Sequence, residues 1–386
     1  MNSRFFKHGA AVLALLAGTA WAQPFPARPI TWIVPFAAGG PTDALARSIA
    51  DKVSREVGQP IIIDNSAGAG GTIGAAKAAR APADGYTMLV GHMGYMGAAP
   101  ALYKKLSYDP VNDFAPVFRF PDTPLVLMVR KEHPAKDIKA LVEFGKANPE
   151  KMFISNAGVG STSHLIAALF ASKAGIQVTQ VPYKGAGPAM NDLIAGQVDA
   201  MFDQTNTALP QIAGGRILPL ALTSSQRMAQ FPGVATLGES ALPGFEAATW
   251  YGLYAPKGTP KDVIKKVHEA YLKALGDKAW TAKMASLGIQ LLPDAQYAPD
   301  AFGKHTKRSR QVAQGRERGQ HHGGLSADTR KEKPACASST KRICSRASPT
   351  RCSSSATSIR RTSCARCGAH TRPKHTRPRR RRSSSC

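Results

Sequence analysis

The feature that most constrains this chain is a change of period that recurs along its body. Between Pro29 and about Gly288, short apolar runs alternate with stretches whose apolar residues return every three to four positions. The first run covers residues 30–35. The stretch that follows, 42–57, puts Leu45, Ile49, Val53 and Val57 on one helical face and Arg47, Asp51, Arg55 and Glu56 elsewhere. That is the pattern of an amphipathic helix after a buried strand. Further strands are expected at 61–63, 86–90, 125–130, 152–155, 178–181, 200–203, 217–222 and 249–254, and helices at 72–80, 137–147, 163–174, 188–195 and 260–276. Strands that alternate with helices predict an α/β fold, with a mainly parallel sheet covered on both faces.

A length of 386 residues and two similar strand-helix series argue for two lobes. Crossings are expected near Pro124 and Ala248. Lobe 1 is then 24–124 plus 249–307, and lobe 2 is 125–248. A lobe built from both ends of the chain needs two crossing strands, which make a hinge with an interlobe cleft.

The two ends of the chain follow other rules. Arg4 and Lys7 precede a short apolar run at 10–17, and Ala20-Trp21-Ala22 has the small-x-small pattern of a signal peptidase site. This predicts export, with cleavage after Ala22 and a periplasmic mature chain. At the other end, residues 308–386 hold all six cysteines and carry 21 Lys+Arg against 3 Asp+Glu, whereas residues 1–307 carry 30 against 22. The formal charge of +26 is therefore mostly a property of the tail and does not make the body a nucleic-acid binder. The tail is rich in Ser, Arg, Thr and Pro and poor in aliphatic periodicity, so it is expected to be disordered. Cys364-Ala-Arg-Cys367 has C-x-x-C spacing but no second pair at zinc spacing. Residues 311–322, back-translated and read one base later, permit Lys-Trp-x-Lys-Val-Val-Asn-Ala-Ala-Asn-Ile, an amphipathic helix; the tail is expected to be out-of-frame translation.

In parallel α/β sheets, ligands sit at the carboxyl ends of strands, over helix N-termini. Four loops fall there. The first is Pro35-Phe36-Ala37-Ala38-Gly39-Gly40-Pro41-Thr42-Asp43. Its glycines let backbone approach a ligand, Pro41 pre-forms a helical turn, and Thr42 or Asp43 can cap it; free amides plus the helix dipole favour an anion. The second is Gly158-Val159-Gly160-Ser161-Thr162-Ser163-His164, where Ser161 and Thr162 can donate to a carboxylate and His164 is either a ligand or a packed cap. The third, Val181-Pro182-Tyr183-Lys184-Gly185-Ala186-Gly187, offers a Tyr183 donor and a Lys184 charge that either faces ligand or is solvated. The fourth is Asp203-Gln204, whose carboxylate could hold an ammonium or hydroxyl group or simply cap a turn. The loop from Gly91 to Gly97, with His92 and Tyr95, is a weaker fifth candidate.

Catalysis finds little support. The body has no cysteine, no Gly-x-Ser-x-Gly, no His-Glu-x-x-His and no convincing triad, and its histidines show no metal-ligand spacing. Gly68-x-Gly70 would need a third glycine at 73 to read as a dinucleotide fingerprint, and Ile73 stands there. No cofactor or metal is expected. An exported enzyme acting on a carboxylate in the same cleft, or a carboxylate sensor, remains the alternative reading.

The stretch Ile33-Val34-Pro35-Phe36-Ala37-Ala38-Gly39-Gly40-Pro41-Thr42-Asp43 resembles the first ligand loop of the Bug-type receptors, the periplasmic solute-binding components of tripartite tricarboxylate transporters. Residues 65–74, Ala83-Asp84-Gly85-Tyr86, residues 160–165 and 181–189, Ala195-Gly196-Gln197-Val198-Asp199 and Tyr254-Ala255-Pro256 are similar to that family in the same order, over roughly 24–305. The resemblance implies a two-lobed periplasmic-binding-protein fold (Venus flytrap, type II-like). It also implies a non-enzymatic receptor that holds a small carboxylate through backbone amides and passes it to a two-subunit membrane partner; the chain is expected to act as a monomer. The family ends in a Lys/Trp-containing helix, from which this chain departs.

Overall fold

The computed structural model describes residues 24–315. The expected export segment and the tail from 316, including Cys364 and Cys367, lie outside the described residues.

The strands are β1 (Ile30–Val34), β2 (Ile61–Asn65), β3 (Thr87–His92), β4 (Phe114–Arg119), β5 (Thr123–Arg130), β6 (Phe153–Asn156), β7 (Thr179–Pro182), β8 (Ala200–Gln204), β9 (Ile217–Leu222), β10 (Ala248–Thr249) and β11 (Tyr251–Pro256). The longer helices are α1 (Pro41–Val57), α2 (Thr72–Ala79), α3 (Ile138–Ala147), α4 (Thr162–Ala174), α5 (Ala186–Ile194), α6 (Thr205–Ala213), α7 (Lys261–Leu275), α8 (Lys278–Ser286) and α9 (Pro299–Ala313).

They form two sheets of the same plan. One runs β2-β1-β3-β11-β4; the other runs β7-β6-β8-β5-β10, with β9 also paired to β5. Within each sheet three strands are parallel, β2, β1 and β3 in the first and β7, β6 and β8 in the second. The remaining pairings are antiparallel. Each sheet therefore has one reversed strand, β11 in the first and β5 in the second, among strands that otherwise run the same way, and the reason is the crossing. The parallel strands end at the boundary between the lobes, whereas β5 and β11 enter from the other lobe at that boundary and run back against them.

Each sheet is buried on both faces. In β1, Ile30, Trp32 and Val34 pack with Leu45, Ile49 and Val53 of α1 and Val263, Val267 and Tyr271 of α7. Ile33 points the other way, toward Ala75 and Ala78 of α2 and Phe302 of α9. Alternation along a strand makes this division automatic. In the second lobe Leu125, Leu127 and Val129 pack with Leu141, Ile166 and Phe170, while Val126 and Met128 face Ala189, Leu193 and Ala208.

The chain leaves the first sheet after Arg119, enters the second at Thr123, and returns through Trp250. The two crossings lie side by side, with Thr249 opposite Thr123 and Ala248 opposite Pro124. Thr223 ties them together: its hydroxyl accepts from the Leu125 amide (2.9 Å) and donates to the Ala247 carbonyl (2.6 Å). A two-stranded ribbon of this kind can bend without breaking either core.

The last helix, α9, continues to Ala313, past the boundary drawn at 307. Phe302 fills the space over Gly252, and Arg310 Nη1 reaches Asp109 Oδ1 at 2.8 Å, so residues beyond 307 still find partners in the first lobe.

Candidate ligand-binding cleft

The strand order tells where a ligand belongs. The chain leaves β1 toward β2 on one side and comes back over it to β3 on the other, so the ends of β1 and β3 form a switch point. In the second lobe the ends of β6 and β8 do the same. The two switch points face each other. Between them lies a small space lined by Phe36, Gly40, Pro41 and Thr42 after β1, by His92 at the end of β3, by Ala157, Ser161, Thr162 and Ser163 after β6, by Ala186 at the start of α5, and by Gln204 at the end of β8.

Four helices therefore begin at this space: α1, α4 and α5 with their first turns, and α6 with its cap residue Gln204. The first amides of a helix have no intrahelical acceptor, and the dipole makes that end positive. Convergence of four such ends from two lobes creates a site for an anion. The enclosed volume is only about 10 Å³, because the lobes touch. Ala37 N donates to the Lys184 carbonyl (3.1 Å), Asn206 Nδ2 to the Pro41 carbonyl (3.2 Å) and Tyr103 OH to the Val159 carbonyl (2.9 Å). This is the closed arrangement. Glycine makes the seam possible: a Cβ on Gly70 would lie 2.0 Å from the Val159 oxygen, and one on Gly94 would lie 2.4 Å from the Gly160 oxygen.

Asp43 is a clamp. Its carboxylate accepts from the Gly39 amide (3.0 Å), Asn65 Nδ2 (2.9 Å) and Arg47 Nε (3.0 Å). Burial opposes its ionisation, but those partners outweigh it and hold the carboxyl below its ordinary range. Asp43 thus shapes the first loop and consumes the Gly39 amide, while Thr42, its neighbour, lines the cleft.

Ser161 caps α4 by accepting from the His164 amide (3.3 Å). Thr162 is buried and meets His92 from the opposite lobe, with Thr162 Oγ1 2.9 Å from His92 Nε2. His92 Nδ1 accepts from the Gly94 amide (2.9 Å), so the proton sits on Nε2 and is donated to Thr162. The Thr162 hydroxyl hydrogen is then free for an acceptor in the cleft. Full burial depresses the His92 pKa to about 3 and keeps the ring neutral. His92 ends the parallel strand β3, and that position is the local signal that marks it as a cleft residue.

The expected residues divide. Phe36, Gly40, Thr42, Ser161 and Thr162 come together at the cleft. Ala38, Gly39, Gly160 and Gly185 lie on the seam: Gly185 abuts Ala37, and Ala38 approaches Gly187. Tyr95 is not brought there. It is buried, bonds the Val90 carbonyl and stacks behind His92 at 5.5 Å between ring centroids, so it supports the wall instead of forming it. Tyr183 turns away to donate to Asp192 Oδ2 (2.6 Å), Lys184 contributes its carbonyl while its side chain is exposed, and His164 Nδ1 sits 3.4 Å from the Gly160 amide. Asp203 precedes Gln204 on β8, is buried and does not line the cleft. A larger recess of about 330 Å³, between α9 and residues 110–116, lies within the first lobe and is lined by no residue of the second.

Comparison with known proteins agrees with this geometry. Residues 45–317 match the model of the tripartite tricarboxylate transporter family receptor. The chain is 40% identical over 286 residues, 74% of its length and 85% of the other, to a UPF0065 protein from the tcbD-tcbE intergenic region of Pseudomonas sp. strain P51. Among solved structures, the periplasmic binding protein BugD superposes with a TM-score of 0.73 at 39% identity, covering 75% of this chain and 97% of that one. MatC from Rhodopseudomonas palustris, solved with bound malate, gives 0.73 at 37% identity, covering 75% and 99%.

Proposed function

This chain belongs to the receptor family of tripartite tricarboxylate transporters, whose members are periplasmic solute-binding proteins and not enzymes, and we propose that it captures a small carboxylate in the interlobe cleft and delivers it to a two-subunit membrane transporter. The observation that carries this reading is the meeting of four helix N-termini, the hydroxyl residues Thr42, Ser161, Thr162 and Ser163 and one neutral histidine around a single space. A carboxylate there takes hydrogen bonds from first-turn amides of α1 and α4 and from Thr162, whose hydroxyl His92 orients. MatC, with malate, supports the ligand class.

On this reading the chain is exported with cleavage after Ala22 and acts as a monomer. Lobe 1 (24–124 plus 249–307) and lobe 2 (125–248) turn as bodies about the crossing ribbon. Each open lobe presents half of the anion site, so a ligand that bridges both halves binds the closed form far better and shifts the population toward it.

The test is calorimetry and thermal shift of the mature protein against a panel of small carboxylates. One acid should raise the melting temperature in a saturable way. Replacing Ser161→Ala together with Thr162→Ala should weaken that acid by about tenfold or more, the scale of a lost charge-assisted hydrogen bond, while the unliganded protein stays folded with a lowered melting temperature, because the α4 cap and the His92 partner are lost. Unchanged affinity in the double variant would remove the Ser161 and Thr162 hydroxyls from the site.

A further inference from the structure

A group of buried polar atoms at the lobe seam, just behind the cleft wall, is not accounted for by carboxylate capture. Asp203 is 1% exposed. Its Oδ2 accepts from Thr207 Oγ1 (2.7 Å), but its Oδ1 has no hydrogen-bond partner. Asn206, in the first turn of α6, gives its Nδ2 to the Pro41 carbonyl and leaves its buried Oδ1 without a donor. Across the seam, on β11 of the other lobe, the Tyr251 hydroxyl is fully buried; it lies near Asp203, Thr42 and Thr249 without a well-formed bond to any of them. Tyr251 also packs against the cleft-lining His92, with ring centroids 5.3 Å apart.

Two features make this more than a core imperfection. First, the orphaned side-chain atoms of Asp203 and Asn206 are both acceptors, and they belong to one lobe, whereas Tyr251 and Thr42 belong to the other. The group is therefore assembled by closure and laid open to the cleft when the hinge opens. Second, its nearest neighbours, Thr42, Gln204 and His92, are themselves cleft-lining residues. Buried acceptors without donors are costly, and a closed receptor that leaves two of them unmatched is incomplete. Burial raises the Asp203 carboxyl to about 7, with only Thr207 and the Gln204 amide pulling the other way.

We propose that Asp203, with Asn206 and Tyr251, forms a donor-reading subsite, so that the receptor selects carboxylates bearing a hydroxyl or ammonium group over the same acid without one. The inference rests on the receptor reading above and deepens it. The helix N-termini hold the carboxylate. The substituent reaches past Thr42 and Gln204 and donates to Asp203 Oδ1. A plain acid brings only acceptors to this end of the cleft and leaves the carboxyl unmatched. Sites built around a buried acceptor reject analogues that lack the donor far more strongly than sites that merely exclude volume.

The experiment uses calorimetry on the mature protein with acids in matched pairs: malate against succinate, mandelate against phenylacetate, 3-hydroxybutyrate against butyrate, and aspartate against succinate for the ammonium arm. In whichever pair binds, the donor-bearing acid should bind at least about tenfold tighter, and Asp203→Ala should shrink the ratio to below about threefold. If that variant does not fold, Asn206→Ala and the wild-type ratios carry the test. Equal affinities within the binding pairs would overturn the subsite while leaving the receptor reading intact. Binding of none of these acids, or of any other small carboxylate, would overturn the receptor reading and the subsite with it.

Discussion

Replacing Asp203 by Asn should change how stability depends on pH, and the size of the change follows from burial. The carboxyl is 1% exposed, and its pKa is about 7 against an ordinary value of 3.8. Between those values the folded protein holds a proton that the unfolded chain has released. A group raised in the folded state stabilises fully below its unfolded pKa, and that contribution is lost as pH rises through the folded one. Each unit is worth about 1.4 kcal/mol, so wild-type protein should lose about 4 kcal/mol between about pH 4 and pH 7, about 3 kcal/mol of it above pH 5. Asparagine keeps the shape and the Thr207 contact but cannot ionise. Urea unfolding of both proteins at about pH 5, 6, 7 and 8 isolates the term, because every other titration cancels in the difference. The advantage of Asp203→Asn over wild type should grow by about 3 kcal/mol from about pH 5 to about pH 8. A difference that stays flat would mean that Asp203 ionises normally, and the argument from desolvation would fail.

Two further outcomes are expected. His92 shifts the opposite way, down to about 3 by burial, so its neutral ring stabilises at neutral pH and that contribution is lost as pH falls from about 6.5 toward 3; His92→Gln should flatten the acid limb of the stability curve, and an unchanged limb would refute a buried neutral His92. Gly70→Ala should impair closure, because its Cβ would stand 2.0 Å from the Val159 oxygen of the other lobe and its φ of +62° adds about 1–3 kcal/mol of strain. Ligand affinity should drop at least tenfold and small-angle scattering should show a more open particle, whereas a compact, full-affinity variant would show that the seam is not closed in this way.

How much was legible depended on whether the signal was local. The β1–α1 loop could be read because Gly39, Gly40 and Pro41 are backbone statements in themselves: two permissive residues and one pre-formed helical turn. The same holds for Ser161, a cap residue directly before an apolar helix. β4 was missed because Pro116 interrupts a run with little alternation, and α6 was missed because Pro210 sits inside it. Tyr95, Tyr183 and Lys184 have chemistry that suits a ligand, but whether a side chain turns to the cleft or to its own lobe is decided by the partner that folding places beside it. Asp192 takes the Tyr183 hydroxyl, and the Val90 carbonyl takes that of Tyr95.

By itself, then, the sequence determined the things that depend on neighbours in the chain: the alternation of strands and helices, the turn chemistry of the ligand loops, the family, and the absence of catalytic motifs in the body. Only the tertiary structure decided which loops meet. It set His92 of one lobe against Thr162 of the other, spent the Asp43 carboxylate on its own loop, and left Asp203 facing Tyr251 across the seam. Those relations depend on strand order and on the angle between two separately folded lobes. Both come from packing surfaces far apart in the chain, His92 and Thr162 being 70 residues from one another, which no local pattern encodes.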